Sequence, residues 1–268
     1  MSESLNTVYK QLFLDKGVSH HISVLLAGAE HIGVSWCALS LAHALNLSQQ
    51  KVLLIDGNGN FSNISTYMLL QNPLYLDSYF QENKTLNQLI TAYKNKDFNI
   101  LAATPGNNYL DDLPLGRIHI LIDDLMNLIE PYNQTLVDLG SDVNEKNIAF
   151  CHIADNLIFV LSQKNSDLIK TFEIINLLHK SGVRAKYNLI INNVNSFEDG
   201  YKIFKELSKA TDKNNLPMLH LLGIIRNDTR VRDTIRNKEL LLSRYPTSEA
   251  AVDIKNIAQK LIGEQNNG

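Results

Sequence analysis

The chain has 268 residues, 44% of them hydrophobic and 20% charged, with a net charge of −3. That length and balance suit one large α/β domain with a sizeable core, and they exclude a disordered chain and a globally basic nucleic-acid binder. Its two cysteines, Cys37 and Cys151, stand far apart inside apolar runs, which argues against a disulfide or a cysteine metal site and points to a reducing, cytoplasmic setting.

The first stretch, MSESLNTVYKQLFLDK, is mixed polar. It has no basic start followed by an apolar signal core, and no later segment approaches the ~20 apolar residues of a membrane span, so neither export nor a membrane anchor is expected. From Ile22 onward, short apolar runs alternate with helical patterns. The strand candidates are Ile22–Ala27, Val52–Ile55, Ile100–Ala103, Thr135–Val137, Leu157–Leu161, Leu189–Ile191 and Leu219–Ile225. The helix candidates, with apolar residues three and four apart, are Trp36–Leu45, Leu86–Tyr93, Ile118–Ile129, Leu168–His179, Gly200–Ser208 and Val252–Ile262. Near-continuous apolar strands between amphipathic helices predict a doubly wound, mainly parallel sheet of about seven strands, covered on both faces.

Punctuation agrees. Pro131, Pro217 and Pro246 fall between runs, Gly182 follows a helix ending at Lys180, and Tyr109–Leu115 reads as loop. Asn144–Asn147 and Asn214–Asn215 read as surface turns. We expect a single domain over residues 1–268, with an N-terminal extension at 1–20 and a polar tail at 263–268.

Between the first strand and the first helix lies Gly28 to Ser35, GAEHIGVS. Strand, glycine turn, helix is the context of a phosphate-binding loop of the form G-x-x-x-x-G-K-[ST]. Gly28 and Gly33 hold the glycine positions and Ser35 the metal-binding hydroxyl, but Val34 stands where the lysine belongs. Valine supplies neither a donor nor a charge, and Glu30 places a carboxylate where a polyphosphate would lie. The peptide cradle and helix dipole could still hold a phosphate. Equally, the two glycines could serve only a tight turn and close helix–strand packing.

Ligand chemistry in such sheets collects at the carboxyl ends of the strands. Asp56, Asp138 and Asn192 fall there, and an aspartate in that place is either a ligand to Mg²⁺ or a cap or turn residue. Near the end of the chain, Arg226, Arg230, Arg232, Arg236, Lys238 and Arg244 outnumber Asp228, Asp233 and Glu239. This stripe reads first as a solvated helix face, second as a dock for an acidic partner, and last as a DNA contact.

Taken together these residues resemble the MinD/ParA group of P-loop ATPases. The family loop K-G-G-V-G-K-T followed by V-A-L-N-L-A corresponds to AEHIGVS followed by WCALSLA. VLLIDGNGNFSNI is similar to the family's second motif, keeping Asp56 and Asn63 but carrying Asn58 for the second aspartate. YNQTLVDLGSD is similar to its Walker B segment, keeping Asp138 and Gly140. The likeness runs from Ile22 to Leu261, and its spacings are nearest to the flagellar-number regulators FlhG and FleN. Both family lysines are replaced, by Ala29 and Val34, and the proline of a late I-P-x-D motif is Arg226.

The resemblance implies that a nucleotide, if held at all, is weakly bound ATP or ADP with Mg²⁺. Gly28, His31, Ile32, Gly33, Val34, Ser35, Trp36 and Asn192 would contact it, Ser35 and Asp138 would hold the metal, and Asp56 and Asp138 would carry any residual catalysis. It further implies a regulator, not an enzyme, that acts through protein partners of a polar or flagellar assembly, with any homodimer independent of nucleotide and recruitment to a cell pole by a partner. The alternatives are a slow ATPase, a scaffold for pilus or cellulose export, and DNA partitioning.

Overall fold

The computed structural model describes residues 21–60, 63–68, 70, 73–93, 98–107, 112–141 and 143–265. Among these residues, eight strands form one sheet in the order β3-β4-β2-β5-β1-β6-β7-β8. The strands are β1 His21–Ala27, β2 Val52–Asp56, β3 Thr91–Ala92, β4 Phe98–Leu101, β5 Gln134–Asp138, β6 Asn156–Leu161, β7 Lys186–Val194 and β8 Leu219–Arg226. Every pairing is parallel except β3 with β4 at the edge. The central strands are buried almost throughout because both faces are covered. In β1, Ile22, Val24 and Leu26 enter one core while Leu25 and Ala27 enter the other.

The helices are α1 Val34–Leu47, α2 Ile64–Met68, α3 Ser78–Gln81, α4 Leu86–Leu89, α5 Leu115–Leu128, α6 Glu145–His152, α7 Asn165–Lys180, α8 Phe197–Lys213, α9 Thr229–Asn237, α10 Leu241–Arg244 and α11 Glu249–Gln265. One face of the sheet carries α4, α5, α7 and α8. On the other, α1 is sandwiched against α11 and α10. The doubly wound fold expected from the alternation is what the chain forms.

Several local expectations are corrected. Leu86–Tyr93 is not one helix: a capping box of Thr85 and Gln88 starts α4, which stops at Leu89, and Thr91–Ala92 pairs antiparallel with β4. Asn144–Asn147 is not a turn but the start of α6, where the Asn144 side chain accepts hydrogen bonds from the N–H groups of Lys146 and Asn147, as an N-cap does. The polar tail is partly helical, since α11 runs through Gly263 to Gln265; residues 266–268 lie outside the described residues, as do the extension 1–20 and residues 109–111 of the Tyr109–Leu115 segment. Gly182 does stop α7, at φ +76°.

Candidate functional site

The carboxyl ends of β1, β2, β5 and β7 bring the candidate residues to one edge of the sheet. Asp56 and Asp138 are direct cross-strand partners, both fully buried. Asp56 serves the backbone: one oxygen accepts from Asn58 N at 3.2 Å and the other from Ile64 N at 3.1 Å, which caps α2. Asp138 Oδ1 accepts from Gly140 N at 3.0 Å. Burial raises the pKa of Asp138 to about 6 against the favourable effect of the Ser35 hydroxyl and the Gly140 N–H. Burial, and then the neighbouring Asp138 charge, hold Asp56 well above the usual carboxylate range. Two carboxylates side by side and out of water resist ionising together.

The loop keeps a phosphate-loop backbone. Gly33 precedes α1 at φ 94°, and no side chain caps the helix, so the first-turn N–H groups are not taken up by one. His31 holds a left-handed backbone, φ 62°, at a position where the related motif has glycine. The loop is also tied down from afar, because Asn192 Nδ2 donates to Ile32 O at 2.8 Å. Gly28 has a packing role: an added β-carbon would lie 2.8 Å from Thr171 Oγ1 and 2.9 Å from Thr171 N on α7.

Over the loop lies a cavity of about 270 Å³, bordered by Glu30, His31, Val34, Ser35, Asn58 and Tyr67 among others. No lysine or arginine borders it among the described residues. His31 and Glu30 are exposed and face each other at 3.8 Å. Val34 is buried, as are Ile32, Trp36 and Ser35. Asn58 Nδ2 donates to Ser35 Oγ at 3.3 Å and the amide also lies against Gly140, so a neutral amide occupies the neighbourhood of the hydroxyl a metal would use. A second cavity of about 270 Å³ adjoins the first across His31, Gly33 and Tyr67 and is bordered by Trp36, Asn192 and Arg226.

Sequence reasoning missed Tyr67, which divides the two cavities from α2 with Lys238 Nζ 5.9 Å from its ring centre. No local pattern around Tyr67 marks it. The basic stripe is divided among β8, α9 and α10. Arg226 is held by Asp253 at 2.9 Å and Glu249 at 2.6 Å, and Arg244 by Asp233 at 3.3 Å and by Glu239. Arg230, Arg232 and Arg236 are exposed on α9.

The residues present fit part of an ATP–Mg²⁺ site and miss the rest. The N–H cradle, Ser35 and Asp138 are in place; among the described residues no lysine or arginine borders the cavity to offset polyphosphate charge, and Glu30 opposes it. We therefore assign no hydrolytic step to this site.

No protein-family model matches the chain. Curated relatives do. It is 21% identical to the antiactivator FleN of Pseudomonas aeruginosa over 247 residues, covering 91% of this chain and 88% of that protein. It is 21% identical to the flagellum site-determining protein YlxH of Helicobacter pylori over 261 residues, 97% of this chain and 87% of that protein. Among solved structures, MinD in the MinC:MinD cell division complex of Aquifex aeolicus superposes with a TM-score of 0.76 at 17% identity, covering 91% and 96% of the two chains. The chain has the fold of the MinD and ParA ATPases and is similar in sequence to FleN and MinD proteins. No described helix is long and apolar enough to cross a membrane.

Proposed function

We propose that this protein is a MinD/ParA-type regulator that has lost ATP turnover and acts through protein partners in setting the number or place of flagella, in the cytoplasm and at a pole to which a partner recruits it. The observation that carries the loss of turnover is the cation-free cavity over the loop, with Val34 buried in the lysine position and Asn58 bonded to Ser35. The flagellar assignment is supported by the likeness to FleN and to the Helicobacter flagellum site-determining protein. Action through a partner is supported by the MinD partner complex of the same fold.

Two measurements test it. Cells lacking the protein should show altered flagellar number or placement under the electron microscope, and unchanged flagella would overturn the flagellar reading. The purified chain should hydrolyse Mg-ATP far below 1 s⁻¹, the low end of ordinary enzyme turnover. A faster rate that vanishes in Asp138→Ala would overturn the loss of turnover. A second reading, nucleotide binding without turnover, is favoured by the uncapped N-terminus of α1 behind Gly33. Calorimetric titration with Mg-ATP separates it from no binding.

A further inference from the structure

The two cavities beside the loop are each about 270 Å³, just under the ~300 Å³ at which pockets begin to enclose a ligand of ordinary small-molecule size. Joined, they would fall well inside that range. Three residues border both: His31, Gly33 and Tyr67. Gly33 has no side chain and the His31 side chain is 82% exposed, so the half-buried Tyr67 ring is what closes the neck between the cavities. Burial and then the Asp138 charge raise the pKa of its phenol, in keeping with a ring that reaches over the carboxyl ends of the strands. The ring is also the movable part. Its backbone is fixed, since Ile64 N donates to the buried Asp56 at 3.1 Å, Ser65 Oγ to Ala103 O at 3.1 Å, and Tyr67 N to Asn63 O at 3.1 Å. The hydroxyl, by contrast, makes no hydrogen bond among the described residues, so rotation of the side chain alone would open the neck.

We propose that Tyr67 is a specificity-determining residue, one that sets the length of ligand the site admits. With the ring in place, each cavity takes only a group that fits within it. A nucleoside polyphosphate must reach from Ser35 in one cavity to Asn192 in the other, and it enters when the ring turns out of the neck. This rests on the reading of the loop as a nucleotide site that has lost turnover, and it adds a steric barrier to the shortage of positive charge.

Trp36 is the only tryptophan of the chain. It borders the second cavity and is 5% exposed, so its fluorescence reads the neck with no nucleotide present. Tyr67→Ala should raise acrylamide quenching of Trp36 by about twofold or more, while Tyr67→Phe, which keeps the ring and loses only an unbonded hydroxyl, should quench as the unaltered chain does. Calorimetry with Mg-ADP should show binding to Tyr67→Ala at least about tenfold tighter than to the unaltered chain, with no gain for Tyr67→Phe. Adenine, short enough for one cavity, should show no such gain. Unchanged quenching in Tyr67→Ala overturns the proposal, because the ring is then no wall. Raised quenching without tighter Mg-ADP binding also overturns it and leaves charge as the barrier. An equal gain in Tyr67→Phe gives the effect to the hydroxyl, and an equal gain for adenine shows a loosened site with no selection by length; either result overturns it. Turnover of Mg-ATP by the unaltered chain would sink the loss of turnover, and the Mg-ADP affinity ratio of Tyr67→Ala to the unaltered chain would still decide the role of Tyr67.

Discussion

A β-carbon at position 28 would meet the backbone N of Thr171 at 2.9 Å, and a main-chain atom in a packed helix cannot step aside as a side-chain tip can. Gly28→Ala is therefore expected to lower unfolding free energy by about 2–3 kcal/mol in urea titration, on the overpacking scale. His31 works the other way. Its φ of 62° costs an L-residue about 1–2 kcal/mol, partly returned by the smaller entropy of the unfolded chain relative to glycine. His31→Gly should be mildly stabilising, by under about 1 kcal/mol. Asp138 carries a larger penalty. Its folded pKa is about 6, above the unfolded value near 3.9. Between those two values the folded state binds more protons, so stability falls as pH rises through about 4 to 6 and the full penalty stands above. Asp138→Asn keeps the oxygen that accepts from Gly140 and removes the charge. It should stabilise at pH 7.5, by on the order of 2 kcal/mol, with the gain fading toward pH 4 in pH-resolved denaturation. A gain that grew on acidification would contradict the assignment.

At the scale of elements, β8 is fastened to α11 by Arg226, which occupies the place of the family's late proline. Its guanidinium spans Asp253 and Glu249 and stacks 4.6 Å from Phe197, and the Asp253 side chain is 1% exposed. Arg226→Ala leaves that buried carboxylate with only the backbone N–H of residue 226, which donates at 3.0 Å. A loss of about 3 kcal/mol is expected, and Asp253→Asn in the Arg226→Ala background should recover part of it in a double-mutant cycle. The same contacts explain which elements the sequence revealed. Strands buried on both faces announce themselves as apolar runs, and α1 announces itself through small and apolar residues after Gly33. Thr91–Ala92 is too short to carry a period, α6 begins with polar Asn144–Asn147 whose capping role is visible only in the bonds Asn144 accepts, and α9 is so rich in charge that it reads as a stripe. The loop was legible as a loop. Its Asn192 tether joins residues 160 positions apart, and Tyr67 reaches it from a different element, so neither link had a local signal.

The whole molecule gathers Gly33, Ser35, Asp138 and the two adjoining cavities at the carboxyl ends of its central strands. An ATP-driven dimer needs charge neutralisation at its interface, and no lysine or arginine borders the loop cavity among the described residues. Sedimentation should therefore give the same oligomeric state with and without Mg-ATP; dimerisation on adding ATP would show that Lys238 or Arg232, on and beside α9, supplies the missing cation from a distance. The converse experiment builds the cation back. Since the backbone at Gly33 already has the loop conformation, and Glu30 is exposed and free to be changed without disturbing the core, the double variant Glu30→Gly, Val34→Lys removes one opposing charge and adds one attractive charge. Each such change near a phosphate is worth at least about 1.4 kcal/mol in a partly enclosed site, a factor of ten per step. Calorimetry should show Mg-ATP affinity raised on the order of a hundredfold over the unaltered chain. If the double variant binds no better, the obstacle is Asn58 on Ser35 rather than charge, and adding Asn58→Asp to the pair should then release the hydroxyl and restore binding.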